Sequence, residues 1–191
     1  MQVSLISYSK PSEFKTYEEG APLGCQDLVA FCARVSNPSN QMNTATSEKL
    51  IKYLIKNKHW SPLEMVNACL EIKTTRDIAH QIVRHRSFSF QEFSQRYADP
   101  NLQQGDMFEY SEARLQDTKN RQNSIEVDDK VLQDEWTNRQ KAVAQAAKLN
   151  YDWAIEQGIA KEQARKVLPE GLTKTTLYMN GTLRSWVHYI E

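Results

Sequence analysis

The chain has 191 residues, 40% of them hydrophobic and 25% charged, with 24 basic side chains set against 24 acidic ones. This is the profile of a globular protein with a real core, and nothing in it calls for more than one ordinary domain spanning residues 1–191. The even charge balance speaks against a general nucleic-acid binder, which carries a basic excess, and no apolar run reaches the length of a membrane span.

In chain order, Val3 and Leu5 mark a first short strand, whereas residues 9–24, with Pro11, Gly20, Pro22 and Gly24, read as loop. A helix is predicted over Leu28 to Val35 and is broken by Ser36-Asn37-Pro38-Ser39-Asn40. Ser47 reads as an N-cap, with Glu48 in the first turn where the helix dipole favours a carboxylate. Leu50, Ile51, Leu54 and Ile55 then recur at helical spacing, and Pro62 prevents continuation. From Met65 to Lys73 the period is two, with Val66, Ala68, Leu70 and Ile72 on one face, which predicts a half-buried strand. Thr74 or Thr75 caps a helix whose apolar stripe is Ile78, Ala79, Ile82 and Val83. Residues 98–130 are polar and without pattern, as functional or mobile loops are. Residues 131–157 have helical composition with Gly158 as C-cap. A short helix over Lys161 to Val167 stops at Pro169, and the apolar segment from Thr175 is expected to be helical over Thr182–Glu191.

The densest chemistry lies in Arg84-His85-Arg86-Ser87-Phe88-Ser89-Phe90-Gln91-Glu92-Phe93-Ser94-Gln95-Arg96-Tyr97. Arginine forks bind phosphate oxygens in pairs and serine hydroxyls add hydrogen bonds, so the run reads as the centre of a site for anionic nucleotides. A solvated face with scattered ion pairs fits the same residues. Phe88, Phe90, Phe93 and Tyr97, taken singly, read as core aromatics. Glu92 could neutralise an arginine or accept a hydrogen bond from a ribose or base. Gln81 would share a face with Arg84 if the preceding helix reached that far, and its amide suits the edge of a uracil ring.

Arg84-His85-Arg86, followed by Glu92, Ser94 and Arg96-Tyr97, resembles the signature of the flavin-dependent thymidylate synthases, with Gln91 where that family usually has Asn. Four further blocks resemble the family in order: Cys32-Ala33-Arg34-Val35-Ser36, His59-Trp60-Ser61-Pro62-Leu63-Glu64, Ala164-Arg165-Lys166-Val167-Leu168-Pro169, and Gly181-Thr182-Leu183-Arg184-Ser185-Trp186-Val187-His188-Tyr189. The resemblance implies a single α/β domain of the α+β type, a mostly antiparallel sheet flanked by helices. It implies reductive methylation of dUMP to dTMP with FAD, NADPH and methylenetetrahydrofolate, in a cytoplasmic homotetramer whose active sites are shared between subunits. It assigns no nucleic-acid partner, no membrane and no metal.

By the same resemblance, Ser61, Glu64, Arg84, His85, Arg86, Ser87, Glu92, Leu183, Arg184 and His188 hold FAD, with Thr182 in place of a usual Asn. Gln81, Arg84, Glu92, Ser94, Gln95, Arg96 and Arg165 surround dUMP, Arg165 from another subunit. A local cluster of arginines is how a neutral chain can hold so many anionic groups. The family continues beyond its last block with a Leu-Arg pair whose arginine helps ionise the uracil ring. The position of that arginine lies past Glu191, so no catalytic residue is assigned and the domain is expected to lack the family's C-terminal segment. A sibling reading is a flavin enzyme of the same fold that installs another group, such as hydroxymethyl, at pyrimidine C5; a reading from a different class is an RNA- or DNA-binding module built on residues 84–97.

Cys25, Cys32 and Cys69 share no metal spacing and none has a neighbouring histidine or arginine to lower its pKa, so all three read as structural thiols of a reducing compartment. Ser94 lacks the Asp-His partners of an activated nucleophile, which leaves it a binding role. His80 reads as structural. His59 and His188 gain a functional reading only from the blocks in which they fall.

Overall fold

A computed structural model describes residues 1–12, 24–103 and 105–190. Most of the expected loop over 9–24 lies outside the described residues, as do Gln104 and Glu191. The strands are β1 (Gln2–Tyr8), β2 (Asn67–Thr75), β3 (Ser89–Glu92), β4 (Arg114–Gln116), β5 (Ser124–Glu126) and β6 (Lys174–Thr182). The helices are α1 (Cys25–Ala33), α2 (Ser47–Lys56), α3 (Arg76–Ile82), α4 (Lys130–Glu156), α5 (Lys161–Ala164) and α6 (Leu183–Ile190), with four short 3-10 turns between them.

Four strands form one sheet in the order β1-β2-β6-β3, and β4 and β5 form a separate antiparallel pair. The large sheet is antiparallel by its own ends. The Ser9 N–H donates to the Asn67 carbonyl at 2.9 Å where β1 finishes and β2 begins, and the Leu183 N–H donates to the Val66 carbonyl at 3.0 Å where β6 finishes. The mixed α/β architecture read from the sequence is the one observed.

Strand β6 was not among the predicted elements. Its inward residues are Thr175, Leu177, Met179 and Gly181, and two of those four are not apolar side chains, which hides the period of two. Helix α1 starts three residues earlier and ends two residues earlier than predicted. The N-cap of α2 is Thr46 rather than Ser47, which is buried inside the first turn with its hydroxyl unpartnered.

The packing resolves into two compact units. The first comprises Met1, Lys73–Ile82 and Glu92–Thr176; the second comprises Gln2–Ile72, Val83–Gln91 and Leu177–Glu191. Strands β2, β3 and β6 contribute residues to both.

The second unit has a core of Val29, Leu54, Leu63 and Val66, against which Leu28, Leu50, Ile51, Leu183 and Val187 pack. The apolar stripe of α2 faces this core, and the helix ends in a Schellman motif: Lys58 N–H bonds the Ile55 carbonyl at 3.0 Å and His59 N–H the Leu54 carbonyl at 2.8 Å. Lys58 occupies the left-handed position at φ 58, which glycine usually fills.

The first unit is built on α4, capped by Asp129, whose side chain accepts from Leu132 N–H at 3.0 Å. Ala144, Ala147, Tyr151 and Ala154, spaced three and four apart, pack on Met107, Phe108, Ala164 and Leu168. The helix closes with the same Schellman pair, here around Gly158 at φ 76.

Residues 98–103 and 105–130 hold more regular structure than their composition indicates. They hold a 3-10 turn at Pro100–Leu102, the buried Met107 and Phe108, and the β4–β5 hairpin. Glutamines of α4 hold the loop backbone. Gln140 accepts from Ser111 N–H and donates to its carbonyl, both at 2.9 Å, and Gln133 does the same for Ala113 at 2.7 and 3.0 Å. These partners are distant in sequence and invisible to periodicity.

Candidate functional site

Helix α3 stops at Ile82, and Arg84 through Phe88 form a turn before β3. Gln81 and Arg84 therefore do not share a continuous helical face, and the face argument for that pair fails. Arg84, His85, Arg86 and Ser87 are all exposed. Among the described residues, neither Arg84 nor Arg86 has an ion pair or hydrogen bond. Two guanidinium groups left unneutralised on a chain of zero net charge are available to an anionic ligand.

The turn is held in the second unit by aromatic packing. Phe88 meets Trp186 edge-on at 4.7 Å and Tyr189 at 5.8 Å, while His85 meets Tyr189 at 4.8 Å. Trp186 Nε1 donates to the Ala68 carbonyl at 3.1 Å. Phe88 is therefore a packing residue, as its type alone indicates. Thr182 caps α6, its hydroxyl accepting from Ser185 N–H at 3.2 Å, and the Ser185 hydroxyl donates to the Ser87 carbonyl at 2.9 Å.

Within this unit lies a cavity of about 550 Å³, in the size range of small-molecule sites. Glu64, Ser87, Arg184 and His188, four of the residues singled out from sequence, line it together with Met65, Thr182 and Ser185. Arg184 and Glu64 form an ion pair on its wall. Ser61 begins the 3-10 turn that carries Glu64 and is exposed. Leu183 packs its side chain against the core and uses its N–H on Val66, so only its remaining main chain is free for a ligand.

The remaining residues fall in the first unit. Glu92 Oε1 accepts from Arg76 Nη1 at 3.2 Å and from the Thr175 hydroxyl at 2.9 Å. Ser94 and Arg96 are exposed, and Arg96 Nε lies 3.7 Å from Glu162. Tyr97 is 86% exposed, so it is not the core aromatic its type indicates. Its carbonyl accepts from Lys161 Nζ at 3.2 Å. Gln95 is buried, with its amide nitrogen unpartnered. Arg165 heads the turn Arg165–Val167, half-buried, its guanidinium without a partner among the described residues.

Arg76, Glu170 and Thr175 were missed in the sequence. The available signal was register: Arg76 follows Ile72 and Thr74 in the inward alternation of β2, so a charge there has to find a buried partner. Burial raises the Cys25 and Cys32 thiols above their usual range, which fits structural rather than nucleophilic cysteines.

The family model described as thymidylate synthase complementing protein matches residues 22–191. A "probable flavin-dependent thymidylate synthase" of Paramecium bursaria Chlorella virus 1 is 48% identical over 196 residues, covering 100% of this chain and 83% of that one. A flavin-dependent thymidylate synthase of Synechocystis is 47% identical, covering 100% of this chain and 84% of that one. The crystal structure of the UMP/dUMP methylase PolB from Streptomyces cacaoi superposes with a TM-score of 0.77 at 24% identity, over 98% of this chain and 75% of the other, a likeness of fold. The family match and the two relatives, each aligned over the whole of this chain, agree with the five sequence blocks, and the chain belongs to the flavin-dependent thymidylate synthases.

Proposed function

We propose that this chain converts dUMP to dTMP by reductive methylation, taking the one-carbon unit from methylenetetrahydrofolate and reducing equivalents from NADPH by way of FAD, as a homotetramer in the cytoplasm. The observation that carries the reading is the unpartnered pair Arg84 and Arg86, which immediately precedes Ser87 on the wall of the 550 Å³ cavity.

The donor set fits a flavin dinucleotide. Arg84, His85 and Arg86 offer cationic and hydrogen-bonding groups to a pyrophosphate, and Ser61, Ser87, Arg184 and His188 offer donors to the rest, with Glu64 holding Arg184. Bound there, FAD supplies the hydride, and the protein supplies orientation and electrostatics. For the nucleotide, Arg96 and Arg165 suit a phosphate dianion, while Gln81, Ser94 and the unpartnered amide of Gln95 suit sugar and base. Glu92 Oε1 is doubly hydrogen-bonded within the protein, which leaves Oε2 to accept from dUMP.

The test is direct. The purified protein is titrated with FAD, then supplied with dUMP, methylenetetrahydrofolate and NADPH, and the product is weighed. Flavin uptake and the mass of dTMP support the reading. A protein that takes up no flavin, or a product of another mass such as the hydroxymethyl nucleotide, overturns it.

A further inference from the structure

Arg76 is buried and yet surrounded by more charge than it can neutralise. Its Nη1 donates to Glu92 Oε1 at 3.2 Å, its Nε lies 3.2 and 3.4 Å from the two oxygens of Glu170, and its Nη2 lies 3.3 Å from His80 Nε2. His80 Nδ1 is in turn 3.6 Å from Glu170 Oε2. One hydrogen pattern satisfies all of these contacts. A guanidinium can only donate, so His80 Nε2 accepts, the ring proton sits on Nδ1, and it points at Glu170. A single guanidinium thus ties three side chains: Glu92 at the end of β3, His80 one turn further along α3, and Glu170, which follows the Ala164–Pro169 block that carries Arg165.

The main chain reinforces the joint. Arg76 N–H donates to the Thr173 carbonyl at 3.0 Å, and the Thr173 hydroxyl donates to the Pro169 carbonyl at 2.7 Å. Glu92 is therefore clamped through one oxygen only, by Arg76 and Thr175, with its side chain 21% exposed. A carboxylate on a flexible stem would sample several rotamers, whereas this one is held with its second oxygen free.

We infer that Arg76 is a positioning residue for Glu92, fixing which carboxylate oxygen is presented to the bound nucleotide and holding the Arg165-bearing segment in register with it. This rests on the reading that Glu92 touches dUMP. A lysine cannot replace it, because one ammonium lacks the planar fork that reaches two carboxylates and an imidazole at once.

The experiment is a double-mutant cycle on FAD-loaded protein, with dUMP affinity measured by calorimetry for the wild type, Arg76→Met, Glu92→Gln and the double variant, and melting temperatures recorded alongside. Arg76→Met is expected to weaken dUMP binding by about tenfold in the wild-type background and to have no further effect in the Glu92→Gln background. An equal loss in both backgrounds means that Arg76 serves the fold and not Glu92, and overturns the inference while leaving the functional reading intact. If Glu92→Gln binds dUMP as the wild type does, Glu92 is no nucleotide ligand, and the site assignment falls together with this inference. Should Arg76→Met fail to fold, Arg76→Lys carries the same cycle, since it keeps the charge and loses the fork.

Discussion

Phe88 lies so close to Gly181 that a Cβ on residue 181 would sit 2.4 Å from its Cδ1 and 2.6 Å from its Cε1. The ring cannot swing away freely, because Trp186 packs against it at 4.7 Å. Gly181→Ala is therefore expected to destabilise the protein by about 1–3 kcal/mol through overpacking, read by urea or thermal unfolding. Because Phe88 follows Ser87 on the cavity wall, the same variant should also lose flavin affinity. A variant as stable as the wild type would mean that the ring relaxes at little cost.

The two Schellman motifs make opposite predictions. Lys58 holds a left-handed conformation that costs an L-residue roughly 1–2 kcal/mol, so Lys58→Gly should stabilise the fold, by about 0.5–1 kcal/mol once the extra freedom of glycine in the unfolded chain is subtracted. Gly158→Ala meets no steric obstacle but must adopt φ 76, and should destabilise by roughly 1 kcal/mol. Chemical denaturation of both variants checks the pair.

On the cavity wall, Arg184→Ala should weaken FAD binding by about tenfold or more, since a cationic hydrogen-bond donor is lost. Glu64→Gln should have a smaller effect, because Arg184 keeps its charge and loses only its tether. Flavin fluorescence titration measures both, and unchanged affinity in Arg184→Ala would contradict its assignment.

Arg96→Ala should weaken dUMP binding by about ten- to hundredfold, as expected for an arginine–phosphate contact. Its long 3.7 Å pairing with Glu162 is weak enough that a phosphate can replace it, so Glu162→Gln should leave dUMP affinity equal or slightly higher. Calorimetry at low and moderate salt separates the two.

Tyr151 offers a pH test of the first unit's core. Burial, aided by the nearby Asp99 carboxylate, pushes its phenol from 10.0 up to about 12. The neutral form is thus favoured by folding. Its contribution is fully present below pH 10 and is lost as pH rises through about 12, because the unfolded chain gives up the proton first. Tyr151→Phe should flatten that part of the stability–pH curve, which denaturation at a series of alkaline pH values would reveal.

What the sequence determined by itself is local and chemical. Periodicity placed the stripe of α2, the length of α4 and the alternation of β2, because burial on one face of a regular element leaves a repeat in the chain. The arginine-rich run and its companion blocks marked the family, because binding several anions needs those residue types close together. Only the tertiary structure decided the rest. It brought Glu64 to Arg184 across 120 positions and Arg76 to Glu92 and Glu170 across 16 and 94. It showed β6, whose inward Thr175 and Gly181 hide the repeat in the sequence, and it tied Ser111 and Ala113 to the glutamines of α4. Such partnerships depend on the register of strands and the faces of helices packed far apart in sequence, and a buried charge gives no sign in the chain of which distant group will neutralise it.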